Sequence, residues 1–250
     1  MEIAEKIKKG WEVSAEGYSN IIQYDLKKEN ADAWRDLILG KAPKEGTLNI
    51  LDIGTGPGLF SIILSMAGHN VTGIDFSPNM IEEAKKNAAY YGVSPEFLVM
   101  DSQEPTLPEG KFDIIVMRNV VWCLSRPKEA YANWKKLLSP IGRLLIIDGD
   151  HLRDLRDEEY KKMRSKVTEK YIETFKEKPP VSYKDFEVAR GWRRELPLVG
   201  YPRPKWDIDT LTELGYKNIT VDDVWDIAYT DEKRRLLHEN DTLFMLTAER

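Results

Sequence analysis

The sequence predicts an α/β fold in which helices flank a doubly wound, mostly parallel sheet of seven strands. Between residues 49 and 147, short apolar runs alternate with helical patterns, which is typical of βαβ units. The runs lack polar alternation, as expected for strands buried on both faces of a parallel sheet. A length of 250 residues fits one domain with an elaboration.

Five strands and three helices are predicted in this central part of the chain. The strands are expected at residues 50–53, 71–74, 97–100, 112–117 and 144–147. The helices are expected at residues 59–67, 78–91 and 127–138. Ser77 followed by Pro78 supports the second helix, because it supplies an N-cap hydroxyl and a residue suited to the first turn. A turn is expected at residues 139–142, before the fifth strand.

Two segments lie outside this pattern. Residues 1–45 show an amphipathic helical pattern, with Trp11 and Tyr18 ahead of the first helix, and predict a helical N-terminal cap. Residues 151–214 begin with a charged helix and predict an inserted helical cap over the substrate, after the fifth strand. The core is expected at 46–150 and 215–250, with the final two strands near 216–221 and 242–247.

Composition argues against several classes of protein. A formal charge of −5 disfavours a nucleic-acid-binding protein, which usually has a basic surface. No apolar run approaches the ~20 residues that span a bilayer, and residues 1–10 mix Glu and Lys, so we expect a cytoplasmic protein without a membrane partner. Cys123 is the single cysteine, which excludes an internal disulfide and a multi-cysteine zinc site. No bound metal is expected.

A glycine-rich turn after the first strand is the most informative motif. Asp52 is followed by glycines at positions 54, 56 and 58, which permit a tight turn and close approach of a ligand. The next helix presents unpaired N–H groups there. A turn of this kind alone is equally well explained as a turn without a ligand. Asp75 ends the second strand about 20 residues later, where an acid binds ribose hydroxyls, so the pattern indicates nucleoside binding.

The glycine spacing and Asp52 distinguish between cofactors. A dinucleotide fingerprint would need glycine at Leu59. Asp52 would repel a pyrophosphate but would suit the ammonium group of S-adenosylmethionine. We therefore expect S-adenosylmethionine as the cofactor, and an NAD-linked oxidoreductase is the weaker alternative. A non-catalytic regulatory module that binds S-adenosylmethionine would have the same pocket.

Five stretches of the sequence resemble motifs of one enzyme family. Residues 51–58, 73–80, 97–101, 112–115 and 138–144 are similar to successive motifs of class I S-adenosylmethionine-dependent methyltransferases, in the small-molecule (type 11-like) branch. The resemblance covers residues 48–148 well and departs at Ile141, where the family usually has glycine. It implies a Rossmann-like sheet and methyl transfer to a small-molecule acceptor by in-line displacement.

The resemblance also implies roles for individual residues. Gly54, Gly56 and Gly58 would line the methionine part of the cofactor, beside Asp52, and Asp75 would hold the ribose.

The adenine end of the cofactor would be held by residues after the second and third strands. Phe76 and Met80 would pack near the adenine, and Asp101 would accept a hydrogen bond from its amino group, with Ser102 beside it. Core packing of Phe76 and Met80, or a turn capped by Asp101, would explain the same residues.

Further candidates follow the fourth and fifth strands, because ligands of open α/β sheets lie beyond the carboxyl ends of the strands. Arg118 could pair with the cofactor carboxylate or be an ordinary surface arginine. Asn119 and Trp122 are expected to face the substrate. His151 is the first candidate for a general base, although a local structural contact would explain it equally well.

Aromatic and basic residues of the two flanking segments are candidates for the cover of the pocket. Tyr18 is a second candidate for catalysis, and Trp11, Arg194 and Tyr201 are candidates for substrate contact. Aromatic faces attract a sulfonium or a cationic acceptor. The aromatic residues of the insert would equally well form its own hydrophobic core.

Overall fold

The computed structural model describes residues 2–179 and 191–250, so residues 180–190 of the predicted insert lie outside the described part. The strands are β1 (Asn49–Ile53), β2 (Asn70–Asp75), β3 (Glu96–Val99), β4 (Phe112–Arg118), β5 (Leu138–Gly149), β6 (Lys217–Asp223) and β7 (Leu243–Glu249). The helices are α1 (Ile3–Asp25), α2 (Lys28–Leu39), α3 (Leu59–Met66), α4 (Pro78–Tyr90), α5 (Pro127–Leu137), α6 (Glu158–Phe175), α7 (Lys205–Glu213), α8 (Trp225–Ala228) and α9 (Glu232–Leu237).

The seven strands form one sheet in the order β3-β2-β1-β4-β5-β7-β6. Strands β1 to β5 are parallel, and β7 runs antiparallel between β5 and β6. In the centre, Leu51 of β1 pairs with Thr72 on one side and Ile115 on the other. The predicted fold class, a Rossmann-like doubly wound sheet of seven mostly parallel strands, is confirmed.

Successive residues of the central strands pack into different layers. Ile115 and Met117 of β4 belong to the hydrophobic cluster that contains Trp134 of α5. Ile114 and Val116 belong to the cluster on the other face, which contains Trp34 of α2. Side chains of a strand alternate between faces, so a strand buried on both faces is apolar throughout. This is the physical reason why β4 could be recognised as an unbroken apolar run.

The strand order reverses direction between β1 and β4, which leaves a crevice at the carboxyl ends of these strands. Helix α1 crosses this end of the sheet and packs against α4 and the 3₁₀ turn Gly191–Glu195. Its Gly10 permits close approach to that turn, because a Cβ there would lie 3.3 Å from Nε1 of Trp192. The first helix therefore covers the crevice.

Two local predictions are wrong. Trp11 and Tyr18 lie within α1 and not ahead of the first helix, because the helix begins at Ile3 and nothing interrupts it before Asp25. The turn predicted at 139–142 is part of β5, which begins at Leu138. The pairing of β4 with β5 is irregular at this point, so residues 139–142 form a bulge in a continuing strand. Among the described helices, none is long and apolar enough to cross a membrane.

Candidate functional site

The loop between β1 and α3 has left-handed backbone at three glycines. The φ angles of Gly54, Gly56 and Gly58 are 63°, 52° and 93°. Gly54 also lies against the chain that follows β4, because a Cβ on it would come within 2.5 Å of Cγ2 of Val120. Position 54 therefore requires glycine for its backbone conformation and for its packing.

Asp52 stabilises this loop from behind. Its Oδ2 accepts hydrogen bonds from the Thr55 hydroxyl at 2.6 Å, the Ser61 hydroxyl at 2.8 Å and the Ser61 backbone N–H at 3.0 Å. Burial raises the pKa of Asp52 to about 6, although these hydrogen bonds favour the ionised form. Asp52 does not line the cavity described below, so its contact with a cofactor ammonium stays a prediction.

Asp75 joins the end of β2 to the glycine-rich loop. Its Oδ2 accepts from the backbone N–H of Gly56 at 3.0 Å, and its Oδ1 accepts from the backbone N–H of Ser77 at 2.9 Å. Burial raises the pKa of Asp75 to about 6, against the effect of these two hydrogen bonds. Each carboxylate oxygen retains acceptor capacity for a ligand hydroxyl.

A cavity of about 420 Å³ lies beyond the carboxyl ends of β1, β2 and β4. This volume is within the range of ~300–1,000 Å³ that is usual for small-molecule sites. Of the predicted cofactor-binding residues, the cavity brings together Gly54, Gly56, Asp75, Phe76, Met80, Asp101, Ser102 and Arg118. Three further predicted residues also line it, namely Trp11, Tyr18 and Asn119. The described cavity wall does not include Asp52, Gly58, Trp122, His151, Arg194 or Tyr201.

The far end of the cavity is closed by the turn after β3. The Asp101 carboxylate accepts from the backbone N–H of Gln103 at 2.8 Å, so it caps the turn as well as facing the cavity. The carbonyl of Ser102 accepts from the indole N–H of Trp134 at 2.7 Å, which fixes the turn to α5. Asp101 itself is exposed and can accept a further hydrogen bond.

Arg118 is held by a carboxylate that sequence reasoning missed. It forms an ion pair of 2.7 Å with Asp25, the last residue of α1, and Asp25 also pairs with Arg234 at 2.6 Å. Burial acts to lower the pKa of Arg118, but Asp25 and Tyr18 raise it above its ordinary value. Asp25 is thus shared by two guanidinium groups, and of these two Arg118 lines the cavity. The sequence separation of Arg118 and Asp25 explains why no local signal could reveal the pair.

Helix α1 supplies the roof of the cavity. Besides Trp11 and Tyr18, the roof includes Ile7 and Lys8, which sequence reasoning missed because they have only a general amphipathic pattern. The Trp11 ring lies 6.4 Å from the Trp122 ring, in an edge-to-face arrangement. Trp122 therefore supports the roof from behind instead of lining the cavity.

His151 lies next to the cavity, behind Asn119. Its Nε2 is 3.1 Å from Oδ1 of Asn119 and 3.2 Å from Oδ1 of Asp148. The imidazole ring also packs at 5.4 Å from the ring of Trp122. Contact of His151 with a substrate stays a prediction, since its described contacts are with these protein groups.

The insert places a different arginine from the predicted one close to the site. Arg194 is exposed, and Tyr201 is 52% exposed. The adjacent Arg193 is buried and forms a bidentate ion pair with Asp154. It also donates to the carbonyl of His151. Residues 193 and 194 are both arginine, so the sequence alone does not show that the 3₁₀ turn Gly191–Glu195 buries Arg193 and exposes Arg194.

The donors and acceptors of the cavity fit S-adenosylmethionine. Asp75 and Asp101 offer carboxylate oxygens to ribose hydroxyls and an adenine amino group. Phe76 and Met80 offer apolar surface between them. The guanidinium group of Arg118 suits the carboxylate of an amino-acid tail. In the part of the chain that the structure describes, no group of three His, Cys, Asp or Glu side chains could hold a metal ion.

Comparison with known proteins gives matches to one family. Residues 51–146 match the sequence profile of the family described as "Methyltransferase domain". The demethylmenaquinone methyltransferase of Thermus thermophilus is 32% identical over 121 residues, which are 46% of this chain and 53% of that protein. The chain spans about half the length of the curated relatives it matches.

Solved structures extend the similarity to most of the chain. A SAM-dependent methyltransferase from Aquifex aeolicus has a TM-score of 0.56 at 18% identity, and covers 92% of this chain and 97% of its own. Phosphoethanolamine N-methyltransferase 2 from Haemonchus contortus, solved with phosphomonomethylethanolamine and S-adenosylhomocysteine, has a TM-score of 0.60 at 15% identity. It covers 87% of this chain and 52% of its own. At these identities the similarity concerns the fold.

Proposed function

We propose that the chain is a class I S-adenosylmethionine-dependent methyltransferase of the type 11 branch, which its residues 51–146 resemble, and that it methylates a small-molecule acceptor. The observation that carries this proposal is the position of Asp75. Its carboxylate lies on the cavity wall between the N–H groups of Gly56 and Ser77, and Asp101 lies on the same wall.

When bound, S-adenosylmethionine supplies a sulfonium methyl group that an acceptor lone pair takes in line, while the electron pair of the breaking S–C bond stays on sulfur. Asp75 would accept from the ribose hydroxyls, and Asp101 would accept from the adenine amino group. Phe76 and Met80 would pack against the adenine. Asp52 keeps the loop in its conformation through Thr55 and Ser61.

The charges near Arg118 fit the other end of the cofactor. Arg118 lines the cavity, and its guanidinium group would attract the cofactor carboxylate. The helix that ends at Asp25 also forms the roof, so the ion pair of Asp25 with Arg118 fixes the cover over the cofactor. We propose that α1 covers the pocket and that the described part of the insert supports this cover, because the 3₁₀ turn Gly191–Glu195 packs against α1.

The part of the wall formed by α1 and by the residues after β4 carries the apolar side chains of Ile7, Trp11, Cys123 and Leu124. Asn119 is polar there, and Glu5 and Lys8 of α1 carry charges of opposite sign. Such walls favour an uncharged acceptor with apolar surface and exclude water from the transfer. The name of the Thermus relative, a demethylmenaquinone methyltransferase, is consistent with a ring compound as acceptor.

An acceptor that is already nucleophilic needs no enzyme base, because alignment of the reactants supplies ~7–11 kcal/mol of barrier reduction. For an acceptor that carries a proton on its nucleophile, Tyr18 and His151 are the two candidate bases. Tyr18 lines the cavity, whereas His151 reaches it through Asn119.

The proposal is tested by incubating the protein with methyl-labelled S-adenosylmethionine and a panel of small phenols, quinols, amines and thiols. Mass spectrometry should find labelled methyl in one acceptor class, with release of S-adenosylhomocysteine in equal amount. Asp75→Asn should lose this activity, whereas the control Asp113→Asn should keep it. Asp113 is a buried carboxylate on β4 that accepts a hydrogen bond from the backbone N–H of Asn49, away from the cavity. Binding of S-adenosylhomocysteine without transfer to any acceptor would instead support a regulatory module.

A further inference from the structure

Asn119 has an unusual and well-fixed position on the cavity wall. Its φ angle of 57° is in the left-handed region, where few residues other than glycine lie. Its backbone N–H donates to the carbonyl of Ile147 at 2.9 Å, and its carbonyl accepts from the indole N–H of Trp122 at 2.9 Å. These two hydrogen bonds fix the backbone of Asn119 at the edge of the cavity.

The side chain of Asn119 is oriented by His151. Nε2 of His151 lies 3.2 Å from a carboxylate oxygen of Asp148, which can only accept a hydrogen bond while it is ionised. A proton on Nε2 fits this contact, and Nε2 then donates to the carboxamide oxygen of Asn119, which lies 3.1 Å away.

Asp148 is kept ionised by its surroundings. It is fully buried, which acts to raise its pKa, but Arg203 at 2.7 Å and His151 together hold the pKa at about 2. The backbone N–H groups of Trp122 and Gly149 also donate to it, at 3.2 Å and 2.9 Å. The carboxylate is therefore a fixed acceptor, and it determines which nitrogen of His151 is protonated.

Because His151 engages the carboxamide oxygen of Asn119, the amide nitrogen of Asn119 is the atom that can bind a ligand in the cavity. Among the described residues, none accepts a hydrogen bond from it. We propose that Asn119 orients the methyl acceptor by donating from its side-chain amide to an acceptor oxygen, with Asp148 and His151 as positioning residues behind it. The inference rests on the proposed function and adds a substrate class: an uncharged molecule with an oxygen near the methylated atom.

The protonation state of His151 can be tested without any acceptor. The chain has three histidines, so ¹⁵N-labelled imidazole signals are few, and His151→Gln assigns the signal of His151. At a pH where the ring is neutral, we expect a protonated Nε2 and a bare Nδ1. A proton on Nδ1 would overturn the inference, because Nε2 would then accept from the Asn119 amide and turn it away from the cavity.

The donor role of Asn119 can be tested by binding. Calorimetry on the S-adenosylhomocysteine-loaded protein compares dihydroxynaphthalene with the monohydroxy compound that lacks the second oxygen. Asn119→Asp keeps the shape without the N–H donors, and Asn119→Gly suits the φ angle without the side chain. Both should weaken dihydroxynaphthalene binding about tenfold, the equivalent of one hydrogen bond, and abolish the preference between the ligands. Affinity for S-adenosylhomocysteine should not change.

Asn218→Gly is the matched control, because Asn218 also has a left-handed φ of 48° and lies on β6, away from the cavity. Unchanged dihydroxynaphthalene binding in both Asn119 variants would overturn the inference. If the wild type binds S-adenosylhomocysteine, that result contradicts only the role of Asn119 and not the proposed function. A wild-type protein that does not bind S-adenosylhomocysteine contradicts the proposed function itself.

The positioning role of His151 is separated from a base role by a conservative replacement. His151→Gln keeps an N–H donor toward Asn119, and His151→Phe removes it. In the transfer assay, His151→Phe should raise the acceptor KM, whereas His151→Gln should keep it close to the wild-type value. Equal loss of kcat in both variants, with unchanged KM, would identify His151 as a base and overturn its positioning role.

Discussion

The carboxylate of Asp75 accepts a hydrogen bond from the backbone N–H of Gly56 at 3.0 Å, and this bond ties the end of β2 to the loop after β1. The acid and the glycine-rich loop are therefore one unit and not two independent contacts to a ligand. Any ligand hydroxyl that binds Asp75 is placed directly beside the loop. This relationship leads to the following predictions.

Ionisation of Asp75 should lower the stability of the folded protein as the pH rises. Burial raises the folded-state pKa of Asp75 to about 6, above its ordinary value of ~3.9. Its contribution to the free energy of unfolding is therefore fully present below pH ~4 and is lost as the pH rises through about 6. Asn does not titrate, so Asp75→Asn lacks this loss. As the pH rises from ~4 to ~7, the free energy of unfolding of Asp75→Asn should increase by up to about 3 kcal/mol relative to that of the wild type. Denaturant unfolding of both proteins at several pH values measures this, and a constant difference would contradict it.

Gly54→Ala should destabilise the protein and disturb the cavity. The left-handed φ costs about 1–2 kcal/mol for a residue with a Cβ, and the new methyl group would displace Val120, which lines the cavity. Adding Val120→Ala should remove the clash but not the backbone strain. The control is Gly17→Ala in α1, where no atom lies near the new Cβ, and it should stabilise the helix by about 0.5–1 kcal/mol. Wild-type stability in Gly54→Ala would refute the argument.

Asp25→Asn should be among the most destabilising single substitutions. It removes the buried carboxylate that Arg118 and Arg234 share, and loss of one partner of a buried ion pair costs about 3–5 kcal/mol. Arg35→Ala breaks exposed pairs with Asp32 and Asp36 and should cost far less. Urea unfolding compares the two, and similar costs would mean that the buried pair has no special role.

Trp11→Ala should weaken acceptor binding more than cofactor binding. Trp11 is part of the roof, and its ring packs against the rings of Tyr18 at 5.7 Å and Trp122 at 6.4 Å. We expect the acceptor KM to rise about tenfold, the equivalent of ~1.4 kcal/mol of lost contact. Trp225→Ala, which removes a tryptophan of α8 outside the cavity wall, should leave KM unchanged. An equal effect of both changes would indicate general destabilisation.

The parts of the site that could be predicted from sequence depend on local chemistry. The glycines at 54 and 56 and the acid at 75 are recognisable because left-handed turns need glycine and each strand end is marked by a change from apolar to polar residues. The predicted strand positions therefore agree with all seven observed strands, whereas the turn predicted at 139–142 is an irregular part of β5.

The remaining features depend on contacts between distant parts of the chain. Asp25 meets Arg118 only after α1 has crossed the sheet, and the spacing of residues along α1 does not show which of them form the roof. Asp52 illustrates a second difficulty. The sequence shows its position beside the glycines, but it does not show that the hydroxyls of Thr55 and Ser61 donate to its Oδ2.

The central claim, that this cavity binds S-adenosylmethionine through Asp75, is tested most directly by calorimetric titration. Wild-type protein, Asp75→Asn and the control Asp113→Asn would each be titrated with S-adenosylmethionine, S-adenosylhomocysteine and NADH. We predict that the wild type and the control bind both adenosyl ligands and not NADH. Asp75→Asn should lose about 100-fold in affinity, because hydrogen bonds to a charged acceptor are worth ~1.5–3 kcal/mol each. Selective binding of NADH, or equal affinity in all three proteins, would contradict the claim.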